Sequence, residues 1–94
     1  MKGGCVYILT NQRHTVLYVG VTSDLRARLW QHRAKLVEGF TKRYNVTKLV
    51  WFECGDDIAS AIKREKQIKA GSRRAKEKLI AAMNPTWRDL ADEL

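Results

Sequence analysis

Apolar residues along this chain fall first into short runs rich in β-branched and aromatic side chains, then into longer stretches where they recur at helical spacing. Cys5-Val-Tyr-Ile-Leu9 and Thr15-Val-Leu-Tyr-Val-Gly-Val21 read as strands, because such residues fit a pleated, half-buried surface. The polar Asn11-Gln-Arg-His14 between them suits a four-residue hairpin loop. That loop sets Thr10 against Thr15 and therefore Tyr7 against Tyr18, with both phenols on one face. Leu49-Val-Trp-Phe52 supplies a third strand.

Helices follow from capping chemistry. Thr22-Ser-Asp24 opens a helix expected from about Leu25 to Val37. Asp56 or Asp57 caps a second through Lys69. After a break at Gly71, Ser72 caps a third, with Ala75, Leu79, Ala82 and Met83 as its apolar positions. Asn84-Pro85 stops it, since proline disfavours helix at the preceding residue. Trp87, Leu90 and Leu94 then fold a short C-terminal turn onto the core. The order ββαβαα predicts an α/β (α+β) fold with a small antiparallel sheet, as a single domain over residues 1–94.

Several polar residues break these apolar faces. At about 100° per residue, Ile58, Ala61, Ile62 and Ile68 make one stripe on the second helix, and Glu65 lies inside it. A carboxylate there needs a cation, hydrogen bonds or a raised pKa, so Glu65 is either salt-bridged or a metal or catalytic group. On the first helix Leu25, Leu29 and Leu36 define the inward face. His32 sits centrally on it, where a satisfied structural hydrogen bond is the simpler reading. Arg28 flanks it one turn earlier, as a partner for Glu65 or, by its rigid fork of donors, for phosphate oxygens. Tyr7 and Tyr18 taken singly are ordinary sheet residues. Together these residues suggest one cleft.

Charge narrows the partner. Eighteen Lys and Arg against ten Asp and Glu give +8. Fifteen of the eighteen cations lie in two stretches, Arg26 to Lys48 and Lys63 to Lys78. Such clustering favours a polyanion, because cations near phosphates release condensed counterions. Neither stretch carries a broad aromatic face suited to an anionic membrane, and no run reaches the roughly 18 apolar residues of a membrane span. Lys63, Arg64, Lys66, Lys69, Arg73 and Arg74 are candidates for phosphate contact. Phe40, Thr41, Arg43 and Tyr44, between the first helix and third strand, could stack bases or grip a backbone, or form a loop that caps the core. The N-terminus has too short an apolar run for a signal peptide. A cytoplasmic protein is expected, with Cys5 and Cys54 as reduced core residues. There is no C-x-x-C, which makes a structural zinc site improbable.

Cys5-Val6-Tyr7, then Leu17-Tyr18-Val19-Gly20, resembles the paired motif of the GIY-YIG nuclease superfamily. The similarity continues through Val21-Thr-Ser-Asp-Leu-Arg-Ala-Arg28, Arg28-x-x-x-His32, Ala61-Ile-Lys-Arg-Glu65-Lys-Gln-Ile-Lys69 and Asn84-Pro-Thr-Trp87, essentially the whole chain. It resembles in particular the small standalone excinuclease-C-like, or UPF0213-type, members. Cys5 replaces the first glycine of the motif. The resemblance implies a three-stranded antiparallel sheet flanked by helices and divalent-metal-dependent phosphodiester cleavage. On this chain Glu65 would hold Mg²⁺ or Mn²⁺ and Arg28 the phosphate. Tyr7 and Tyr18 would position or deprotonate water, with His32 and Asn84 in support, and Gly20 would let the backbone turn beside the cleft. One carboxylate is a sparse ligand set, so the metal is expected to bind weakly without substrate. The substrate is expected to be nucleic acid, DNA ahead of RNA. The alternative is a noncatalytic DNA- or RNA-binding module that retains the fold.

Overall fold

The computed structural model of the chain describes residues 3–36 and 39–94. Its elements are β1 (Gly4–Thr10), β2 (Leu17–Thr22), α1 (Leu25–Arg33), α2 (Phe40–Arg43), β3 (Lys48–Gly55), α3 (Ile58–Ala70) and α4 (Arg73–Met83), with a 3-10 turn at Leu90–Glu93. The three strands form an antiparallel sheet in the order β2-β1-β3.

Helices α3 and α4 cover one face of the central strand β1 and α1 with the C-terminal turn the other, which accounts for the unbroken apolar run Val6–Leu9. Val6 and Ile8 pack with Val19, with Ala61 and Ile68 of α3 and with Ile80 of α4. Tyr7 and Leu9 point the other way, against Leu25 and Leu29 of α1, Val46, Leu49 and Leu90. The pairing of β1 with β3 slips between Ile8 and Leu9. Val50 is left over there, so Val50 and Trp51 both join the α3–α4 side while their neighbours Leu49 and Phe52 join the other.

The hairpin register differs from the sequence expectation. Tyr7 pairs with Gly20 and Tyr18 with Leu9. The loop spans residues 11–16 instead of four residues, because the Asn11 side chain accepts from the backbone amides of Thr15 and Val16 and holds both outside the strand. The slip is even, so side chains keep their faces. Tyr7 and Tyr18 become diagonal neighbours, with ring centroids 6.4 Å apart.

The expectation of two reduced cysteines is also corrected. Cys5 and Cys54 oppose one another across β1 and β3, with Cα atoms 4.1 Å apart, and form a disulfide. Separation along the chain hid a pairing that strand register creates.

Helix starts follow the capping residues: Asp24 accepts from Ala27 N, Asp57 from Ala59 N, Ser72 from Ala75 N and Asp89 from Ala91 N. Helix α1 stops at Arg33, short of the expected Val37, which lies outside the described residues. The chain turns at Lys35 with a φ of 59°, and Leu36, expected inside, is 60% exposed. Ile62 on α3 and Met83 on α4 are likewise exposed, and Ile80 is the residue that α4 buries. Spacing alone gives the apolar stripe, whereas the docking angle of each helix decides which edge of it is covered. The segment before β3 contains α2, a short helix absent from the expected order. At the far end, Arg73 donates to the carbonyls of His14 and Thr15 and ties α4 to the hairpin loop.

Candidate nucleic-acid cleavage site

The site begins with β1. Tyr7 is 1% exposed, and its hydroxyl reaches over Gly20 of the edge strand to His32 Nε2, 3.1 Å away. No other residue would permit this crossing at position 20, since a Cβ there would collide with the phenol. His32 arrives from the last turn of α1, and its other ring nitrogen, Nδ1, lies 3.0 Å from Thr41 Oγ1 of α2. Tyr18 is half-buried, with its ring 5.7 Å from that of His32. The three rings thus form one cluster, in which Tyr7 and His32 are covered and Tyr18 reaches solvent.

Arg28 lies beside this cluster. Its Nη1 donates to Gln31 Oε1 at 3.2 Å, while its Nε is buried with no hydrogen-bond partner among the described residues. A buried donor without an acceptor costs about 1–3 kcal/mol, and a ligand oxygen would relieve it. The guanidinium is felt by its neighbours. Burial pushes the Tyr7 phenol above its ordinary pKa; a side-chain hydrogen bond with Arg28 and the guanidinium charge pull it down, while Tyr18 and Glu65 push it up. Burial lowers the His32 pKa, and the Arg28 charge lowers it further. His32 is therefore neutral at pH 7, with one ring nitrogen able to accept the Tyr7 proton and the other able to donate to Thr41.

Glu65 comes from α3, on the opposite face of the sheet. It is buried, its charge acts on Tyr7, and its ion-pair partner is Lys69, one turn on, with Nζ 2.5 Å from Oε2. The Arg28–Glu65 pair considered from sequence does not form. The i,i+4 spacing of Glu65 and Lys69 was the available signal for the pair that does.

Asn84 is not brought to this cluster. Its side-chain amide donates to the carbonyls of Val50 and Arg88, and its Oδ1 accepts from Arg88 N. It closes α4 and satisfies the bulged residue of β3, the strand at the opposite edge from β2.

The basic residues divide similarly. Arg64 pairs with Glu53, Lys69 with Glu65 and Arg73 with Glu77, whereas Lys63, Lys66 and Arg74 are exposed without an ion pair among the described residues. Arg43 lies over the Tyr44 ring. Thr41, expected to grip a backbone or to lie in a loop that caps the core, instead partners His32; Gln31 is a contributor that the sequence reading does not name, although its i,i+3 spacing from Arg28 signals the contact.

As to metal, no group of three or more His, Cys, Asp or Glu suited to an ion occurs among the described residues. The donor set fits Mg²⁺ only in its sparse mode, one carboxylate with waters and substrate phosphate completing the shell. Glu65 is the residue that would provide that carboxylate.

A hairpin carrying two tyrosines as diagonal neighbours, a helix carrying Arg and His one turn apart, and a carboxylate helix against the same sheet make up this domain. Residues 3–78 match the family of the GIY-YIG catalytic domain, and the chain belongs to that family as a UPF0213-type member. It is 40% identical over 81 residues to a UPF0213 protein of Syntrophus aciditrophicus, covering 85% of this chain and 92% of the relative. It is 36% identical over 76 residues to one of Natronomonas pharaonis, covering 81% and 88%. The solution NMR structure of a UPF0213 protein from Bacillus halodurans superposes with a TM-score of 0.59 at 25% identity, over 93% of this chain and 92% of that one. Membership points to a nuclease family that binds nucleic acid and is generally divalent-metal dependent. Among the described residues, no helix is long and apolar enough to cross a membrane.

Proposed function

We propose that this chain is a divalent-metal-dependent endonuclease acting on nucleic acid, DNA ahead of RNA, with residues 1–94 working as one catalytic module. The observation that carries the reading is the buried Nε of Arg28, without a hydrogen-bond partner among the described residues, beside the Tyr7–His32 pair. A phosphate oxygen there would satisfy the donor and receive a positive charge where the transition state needs one.

The roles follow from accessibility. Tyr18 is the phenol that meets substrate and water. Tyr7, behind it, accepts a proton from that side and passes its own to His32 Nε2, while Thr41 holds the far side of the imidazole. The Arg28 charge disfavours imidazolium in the free protein. An anionic phosphate on Arg28 offsets that charge and makes His32 a better proton acceptor once substrate is bound. Mg²⁺ or Mn²⁺ held by Glu65 would supply polarisation of the phosphate. Lys69 must then release Glu65, and its half-exposed side chain leaves it free to do so. Lys63, Lys66, Arg74 and Arg43 are the remaining candidates for backbone phosphates. The same reading puts the protein in the cytoplasm, where the Cys5–Cys54 pair would meet reducing conditions.

One observation favours a second reading, a binding module without turnover: Glu65 is already neutralised by Lys69. A cleavage assay over single-stranded, duplex and branched substrates with Mg²⁺ or Mn²⁺ separates the two. The endonuclease reading expects cleavage by the wild type that is lost in Arg28→Ala and Glu65→Gln. Binding without cleavage on every substrate would leave the module reading standing.

A further inference from the structure

We propose that Phe40 and Tyr44 form a stacking shelf for an unpaired nucleobase adjoining the phosphate held by Arg28. The inference rests on the nucleic-acid reading above and adds a base subsite to it. The two rings lie 4.9 Å apart, and Phe40 continues the line to Tyr18, with centroids 6.4 Å apart and planes inclined by 23°. The shelf is therefore continuous with the ring cluster of the site.

Its exposure is not a failure of packing. Helix α2 has four residues, and the one it buries is Thr41, fixed by the contact of its Oγ1 with His32 Nδ1 and by its carbonyl accepting from Val46 N. Phe40 and Tyr44 are each 46% exposed. Had the aromatics served to cap the core, they and not the threonine would be covered. Instead a polar anchor fixes the segment to the site and leaves its rings facing solvent. The Arg43 guanidinium carbon stands 5.7 Å from the Tyr44 ring centre, adding a cation beside the π surface.

This combination of aromatic faces and a nearby cation suits a nucleobase with its phosphate. Every base has a π face, so the shelf reads no sequence. A base inside a duplex is already covered on both faces by its neighbours. The subsite therefore takes a base from a strand end, a flap or a single strand.

The test is equilibrium binding of the full chain, in EDTA so that no cleavage occurs, to oligonucleotides carrying 2-aminopurine in unpaired or duplex positions. Wild type is expected to quench the unpaired probe and leave the duplex probe unchanged. Tyr44→Phe should retain this behaviour. Phe40→Ala and Tyr44→Ala should each weaken binding of unpaired strands roughly tenfold, with the salt dependence unaltered because no phosphate contact is lost. Folded alanine variants that bind and quench like wild type would refute the shelf and leave the cleavage reading intact. If Phe40→Ala fails to fold, Tyr44→Ala and the wild-type quenching decide, and absence of quenching refutes the shelf. Failure of wild type to bind any oligonucleotide would overturn both proposals.

Discussion

The hydroxyl end of Tyr7 lies directly over Gly20: a Cβ on that glycine would stand 2.4 Å from both Cζ and Oη of the phenol. The glycine of the second strand is thus a space through which the tyrosine of the first reaches His32. Gly20→Ala should force the ring from its place. We expect a loss of about 1–3 kcal/mol in urea unfolding, together with loss of cleavage. A variant of unchanged stability and activity would show that the phenol needs no such space.

Arg28 should separate stability from function. Its Nε is buried without a hydrogen-bond partner among the described residues, so Arg28→Ala removes a donor that the fold leaves unsatisfied. Thermal melts should show a stability equal to or above that of wild type. Cleavage should fall roughly 100-fold or more, the scale of losing one oriented charge in a preorganised site. Arg28→Lys should restore little, because an ammonium lacks the planar fork. A destabilised alanine variant with normal kinetics would make the residue structural.

Stability should fall with acidification through His32. Burial and the Arg28 charge hold its pKa below the ordinary 6.5, so the unfolded chain binds the proton more readily than the folded one. The contribution is complete above about pH 6.5 and is lost as pH falls through the folded value. The pKa of His14 is lowered as well, by burial and by Lys48. Melts of wild type, His32→Gln and His14→Gln between pH 8 and pH 5 separate the two. An unchanged pH profile in His32→Gln would remove His32 from the linkage.

The disulfide joins Cys5 to Cys54 across a sequence separation of 49. A loop of that length is worth about 2–4 kcal/mol through restriction of the unfolded chain. Reductant should lower the urea midpoint of wild type and leave Cys54→Ser unaffected. Thiol titration of the folded, unreduced protein should find no free cysteine. Equal midpoints for the two proteins without reductant would show that the bond adds nothing.

The sequence by itself determined the three strands and the starts of α1, α3 and α4. Apolar runs marked the three strands, and Asp24, Asp57 and Ser72 marked the helix starts. Polar residues on apolar faces singled out His32 and Glu65, both of which are buried. These features are local: a cap, a period or a misplaced charge is visible within a few residues. Tertiary structure decided the partners. Only the six-residue loop shows that Tyr7 faces Gly20, and only register joins Cys5 to Cys54. The docking of α2 made Thr41 the companion of His32, and Asn84 donates to the carbonyl of Val50 at the β3 bulge. Which group meets which depends on strand slip, bulges and helix docking, which are settled by packing over the whole sheet and leave no mark in the neighbouring sequence.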